Sequence, residues 1–321
     1  MLSFRIPSFI SSNIIFLSDP IGFKKNIYLP VDNIIKKTKQ YHNYVSPYGY
    51  IQEVVGDDLD KSYAIWEIIH HFDIIKPDTK MSYIGSMSST MPTFVTEYYM
   101  LKVYPNDILD HNRSIFLQLC LEYSDNTTPF DEWYLDNDGI DSVIIIKESD
   151  TNCKNIYNKI FTDVLIALIR QSIGGSLIIE LAEITSTFSI DLIYILGHFY
   201  EDVFIVKPEI AECYTNEKFI FCYGMRTIDK KKKIYDMKSL VSNTYTAESF
   251  ILHNKIPHTI LKTLTNAVST CENIKIVRMN DFIKRADKKT PIQLDIHKTR
   301  IISNCIKWCI KNDIKIKDDT K

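Results

Sequence analysis

The stretch GGSLIIELAE, residues 174–183, sets two glycines before an apolar run that closes on a carboxylate, Glu180. Read as a buried strand of an open α/β sheet, the run delivers Glu180 to the carboxyl end of the sheet, where such sheets bind ligands. A carboxylate in that place is a candidate for proton transfer. Two further residues point to the same edge: Lys207 closes the run DVFIVKP, and Glu217 stands just before KFIFCYGMR. That last run ends on Arg226, and Lys230, Lys231, Lys232 and Lys233 follow it. Cations so clustered are candidates for phosphate contact; the plainer reading is a solvated linker. His70-His71 has no metal-ligand partner one turn away and is read as structural. Cys305 and Cys309 share a helical face with Ile301 and Trp308 and are read as core-facing thiols. No metal is expected.

The elements that must position these groups follow from periodicity. DLDKSYAIWEIIHHF has helical spacing, with Ile65, Ile68 and Ile69 on one face. TKMSYIGS, SIFLQLCLEY (114–123) and DSVIIIKE (141–148) read as strands. The last is nearly unbroken in apolar residues, as for a strand covered on both faces. Helices are expected over 92–104, 153–173 and 188–200, and strands over 202–208 and 218–226. Alternation of this kind implies crossovers and a mostly parallel sheet. The last two strands are joined by a loop with no helix, so they are expected to pair antiparallel and leave one reversed strand near an edge. Residues 1–55, punctuated by Pro7, Pro20, Pro30 and Pro47, read as an irregular extension, and the chain turns helical again after the lysine run.

Bulk properties bound the function. A chain of 321 residues with 45% hydrophobic content suits one large domain with additions. The net charge of −2 argues against coating nucleic acid by bulk charge. No run approaches the roughly 20 apolar residues of a membrane helix, and no signal peptide is expected. Seven scattered cysteines without a CxxC pair suit reduced intracellular thiols.

Residues 174–224 resemble the last third of the catalytic domain of FtsJ/RrmJ-type ribose 2′-O-methyltransferases, which transfer a methyl group from S-adenosylmethionine to an RNA ribose. The family pattern is a Gly-Gly turn and an apolar strand closing on a Lys, then a helix, a strand ending in Lys-Pro, a loop and a Glu opening the last strand. This chain carries GGSLIIELAE, DLIYILGHFYEDVFIVKP and EIAECYTNEKFIFCYG at matching spacing. Residues 59–97 can be laid without gaps on the family's first helix, first strand and cofactor loop; 98–173 match only in outline.

The resemblance implies a Lys-Asp-Lys-Glu tetrad in which a lysine lowers the pKa of the ribose 2′-hydroxyl. Here Ala64 stands at the first Lys, with Lys61 one turn earlier as a possible substitute. Lys147 and neighbouring acids lie where the Asp is expected. Glu180 replaces the proton-accepting Lys, and only Glu217 matches the family residue. A carboxylate near the hydroxyl disfavours the alkoxide, the reverse of what a cation does. Glu180 is therefore read as a lost lysine, forming a partly exposed carboxylate pair with Glu217. The family's cofactor loop, an Asp and Gly-x-x-Pro-Gly-Gly, is reduced to Tyr83, Gly85 and Ser86 followed by Met87, Ser88, Ser89 and Thr90. Side chains then fill space that S-adenosylmethionine would need.

The expected architecture is α/β: a Rossmann-like methyltransferase fold of the seven-stranded type, mostly parallel with one reversed strand, over residues 58–228. An N-terminal extension (1–57) precedes it and a C-terminal helical region (229–321) follows. The expected function is a degenerate, inactive methyltransferase-like accessory or scaffold subunit in mRNA capping or processing, with RNA or another processing subunit as partner. It is expected in the cytoplasm, or in a virus factory or virion if viral. No cofactor is expected. The alternatives are an active S-adenosylmethionine-dependent enzyme using Lys61 and Lys147, and a structural virion protein without a ligand.

Overall fold

The computed structural model describes residues 1–7, 42–56, 60–74, 81–84, 140–145, 156–181, 183–211, 218–226 and, with short interruptions, 236–317. Among these residues the strands are β1 (Leu2–Arg5), β2 (Met81–Ile84), β3 (Ile140–Ile145), β4 (Gln171–Leu181), β5 (Tyr200–Lys207) and β6 (Lys218–Met225). They form one mixed sheet in the order β1-β5-β6-β4-β3-β2. The helices are α1 (His42–Val45), α2 (Ile51–Val55), α3 (Asp60–His71), α4 (Ile156–Arg170), α5 (Thr187–Phe199), α6 (His258–Ala286) and α7 (Pro291–Lys311). The chain is mixed α/β.

β2, β3 and β4 run parallel, as their apolar runs and intervening helix require. β6 is antiparallel to both neighbours, β4 and β5. The short connection between β5 and β6 leaves no room for a crossover, so the second strand must reverse. Two expectations are corrected. The reversed strand is not alone, because β1 also runs antiparallel at the edge of the sheet. The N-terminal stretch is accordingly not irregular throughout: Leu2 to Arg5 pair with Lys207 to Phe204 and cover what would otherwise be an open edge.

Alternation along β4 assigns its side chains to two cores. Leu177, Ile179 and Leu181 join α4 and α5 on one face, while Ile178 joins α3 and α7 on the other. α5 is buried on almost every side. That follows from its apolar composition all round and from a segment around Met237, Leu240, Tyr245, Ile251 and Leu252 that packs over it. Ser186 caps the helix by accepting from the Ser189 backbone N–H at 3.1 Å. The second face is built from distant chain: Ile301, Cys305, Trp308 and Cys309 of α7 meet Tyr63, Ala64 and Ile68 of α3.

The glycine pair does not form a turn ahead of the strand. It lies inside β4, in a bulge where β4 advances from Gln171 to Ser176 while β3 advances only from Ile140 to Ser142. Gly174 has φ +81°, and a Cβ on Gly175 would lie 2.8 Å from the Asp141 carbonyl oxygen. Gln171 spans the bulge: its amide donates to the Ser176 carbonyl and its oxygen accepts from the Tyr200 hydroxyl.

Candidate functional site

The carboxyl edge of the parallel strands gathers the end of β2 with Tyr83, the end of β3, and Glu180 near the end of β4. Tyr83 pairs in register with Ile144, and Glu180 with Phe219. By alternation with Ile178, Glu180 lies on the α3/α7 side of the sheet, where Ala64 is also buried. The two positions matched to the family's lysines therefore share one face, and neither carries an amine. Glu180 is 6% exposed, so the expectation of a partly exposed carboxylate is corrected. β4 is flanked on both sides and covered on both faces, and its end is drawn into the core. Lys61 lies in the first turn of α3. Gly85, Ser86, Lys147, Glu217 and Lys230 to Lys233 lie outside the described residues.

Lys207 and Arg226, grouped by sequence as one phosphate-contacting set, stand at opposite edges. Reversal of β6 carries Arg226 to the amino edge of the sheet. There its backbone N–H donates to the Phe199 carbonyl at 2.8 Å and its guanidinium to the Glu201 carbonyl at 3.5 Å. Lys207 stays at the carboxyl edge, where β5 ends and β6 begins.

At that edge α6 closes a cleft of about 230 Å³, whose lining includes Lys207, Lys218, Cys271, Glu272, Lys275 and Arg278. Lys218 and Lys275 are buried, and both face the Glu272 carboxylate, at 3.8 and 3.6 Å. Burial holds the Lys218 amine below its usual pKa even though Glu272 opposes the shift. Burial likewise pushes the Cys271 thiol up, against the pull of Lys218 and Lys207. Burial raises Cys305 to about 11 and Cys309 to about 12. Such thiols are inert packing groups and not nucleophiles.

The wall of the cleft is held by two acids that sequence patterns did not single out. Glu209 accepts from the Met1 ammonium at 2.6 Å and the Tyr48 hydroxyl at 3.0 Å. Burial alone would raise its pKa, but these donors outweigh burial and leave it below the usual carboxylate value. Glu67, buried on α3, accepts from the backbone N–H groups of Glu209 and Ile210 at 2.9 and 3.1 Å. It also accepts from the Trp308 indole at 3.1 Å. The available signal was weak: an acid among apolar residues inside a helical pattern. His70 reaches Asp313 at 3.2 Å. No group of three or more metal-ligating side chains forms among the described residues.

No family model matches the chain. It is 26% identical over 204 residues, or 60% of its length, to the uncharacterized protein R383 of Acanthamoeba polyphaga mimivirus. The match covers 49% of that protein, so the chain spans about half the length of this relative. Among the described residues no helix is long and apolar enough to cross a membrane.

Proposed function

We propose that the chain is a methyltransferase-like scaffold whose catalytic site has degenerated, acting as an accessory subunit in viral mRNA capping or processing. The observation that carries this reading is the pair Ala64 and Glu180. They occupy the positions matched to two family lysines, lie on one face of the sheet, and are both buried. An alkoxide at that edge meets a carboxylate where the family has an ammonium, which raises the barrier to methyl transfer. The parallel β2–β3–β4 core with a reversed β6 beside it is consistent with a Rossmann-like methyltransferase sheet. The similarity to a mimivirus protein supports a viral setting.

Calorimetric titration of the full chain with S-adenosylmethionine tests the reading. No saturable heat is expected. Micromolar binding would overturn it and favour an active enzyme. A salt-dependent mobility shift with short RNA then separates an RNA-contacting scaffold from a structural particle protein, because phosphate contacts make affinity fall steeply with salt.

A further inference from the structure

Asp191 on α5 belongs neither to the carboxyl edge of the sheet nor to the cleft, and it is 3% exposed. Among the described residues its hydrogen bonds come from the Ile251 and Leu252 backbone N–H groups, at 2.8 and 3.0 Å. Both end on one oxygen, Oδ2. That arrangement suits a neutral carboxyl, whose carbonyl oxygen accepts twice while the other oxygen carries the proton. The titratable groups on the elements packed around it are Lys159 and Asp163 on α4, Tyr194 and His198 on α5, and Tyr245, Glu248 and His253 in the segment over α5. Among the described residues none of them is bonded to Asp191 or sets its charge. Burial raises its pKa to about 6, against the two N–H groups that lower it.

The segment that supplies these N–H groups, residues 243–252, contributes to no helix or strand among its described residues. It is clipped to the domain at three places. Asn158 of α4 donates to the Asn243 carbonyl and accepts from the Tyr245 N–H at 2.7 Å. The Phe188 N–H donates to the Ala247 carbonyl at 3.3 Å. Asp191 holds the far end. Between the clips the Tyr245 ring packs on Phe161 and Phe188, with centroids 5.0 and 5.6 Å apart. Of the three clips only Asp191 can change its charge.

We propose that Asp191 is a pH-operated latch on this segment: the neutral acid holds residues 251 and 252 down, and the carboxylate favours lifting of that end into water. A buried carboxylate with no cation beside it regains its hydration when the segment lifts. The latched state, with its raised pKa, holds a proton that the lifted state, at the ordinary 3.8, has released. Latching is therefore strongest below about pH 4 and weakens as pH rises to about 6. The difference between the two values makes lifting up to about a hundredfold more frequent across that window. The latch is independent of the methyltransferase-like reading, because α5 lies on the face of the sheet opposite Ala64.

Hydrogen exchange of the full chain, followed by mass spectrometry from about pH 4 to 7 and corrected for the intrinsic pH dependence of exchange, tests the latch. Peptides spanning 243–252 should be less protected than peptides from β6 throughout. Their protection should also fall by up to about a hundredfold as pH rises through the window. Asp191→Asn, which keeps an acceptor but cannot ionise, should abolish that fall. Asn158→Ala should speed exchange of the same peptides at every pH and leave the fall in place, since it loosens a clip that does not titrate. Protection of 243–252 equal to that of β6 at every pH would mean that the segment lifts only when the whole chain unfolds, which overturns the latch. A pH-independent protection in the wild-type chain overturns it as well, and both outcomes are read without any variant. A fall that persists in a folded Asp191→Asn chain would assign the titration to another group and equally overturn it.

Discussion

Asp191 and Glu67 fasten opposite faces of the sheet by the same device. Each is a buried carboxylate accepting two consecutive backbone N–H groups. Asp191, on α5, takes those of Ile251 and Leu252 at 2.8 and 3.0 Å on one oxygen. Glu67, on α3, takes those of Glu209 and Ile210 on its two oxygens, and adds the Trp308 indole and the Met1 ammonium at 3.6 Å. The surroundings differ. At Asp191 burial outweighs the two N–H donors and lifts the pKa to about 6. Two backbone donors are therefore not enough to keep a buried carboxylate easily ionised. On the Glu67 face, the extra donors come from the first residue of the chain and from α7. One staple spans 60 and 61 residues, whereas the other ties together both ends of the described chain.

The sharpest way to break the comparison is to delete the better-supplied staple. Glu67→Ala leaves two buried N–H groups and an indole without their acceptor and should cost about 3–5 kcal/mol in urea unfolding. A loss below about 1 kcal/mol would show that the Glu67 face closes without its staple. Glu67→Gln keeps an acceptor and should recover part of the loss.

The pH response of Asp191 comes next. Its folded pKa, about 6, lies above the ordinary 3.8. Between those values the folded chain holds a proton that the unfolded chain has released. Stability from this group is thus full below about pH 4 and is lost as pH rises to about 6, by up to about 3 kcal/mol. Asp191→Asn removes the titration. The wild-type-minus-variant difference in unfolding free energy should therefore slope downward through that window and be flat above it. An absent slope would mean that Asp191 is as well compensated as a surface acid.

Smaller effects test the bulge that offsets β4 from β3. Gly175→Ala places a methyl against the Asp141 carbonyl and the Gln171 side chain, and should cost about 1–3 kcal/mol. Gly174→Ala has open space but a left-handed backbone, so about 1 kcal/mol is expected. Thermal melts of both variants should preserve that order. The smallest change is Lys298→Ala, which removes an exposed ion pair to Glu53 and a cation–π contact to Tyr50. It should shift stability by under about 1 kcal/mol.

What could be read along the chain alone is what local periodicity encodes. The runs read as strands at 141–148, 174–183, 202–208 and 218–226 fall on β3, β4, β5 and β6, the first because a strand covered on both faces has no polar side to show; the expected helix 92–104 and strand 114–123 lie outside the described residues. The helices α3, α5 and α7 were legible from spacing, and the reversal of β6 from a connection lacking a helix; α4 was legible except at its end, since the helix expected to run to 173 stops at Arg170, where β4 begins. That Ala64 and Glu180 stand where the resemblance would place lysines was also a reading of the sequence. The burial of Glu180 was not, because it depends on which strands flank β4.

Tertiary structure alone decided the pairing of Leu2–Arg5 with β5 and the meeting of Glu67 with Met1, Glu209 and Trp308. It also separated Lys207 from Arg226 and drew Lys218, Lys275 and Glu272 into one cleft. These contacts join residues tens to hundreds of positions apart. Their cause is closure of an exposed sheet edge and satisfaction of buried polar groups. Both are properties of the assembled surface, and neither leaves a period in the sequence.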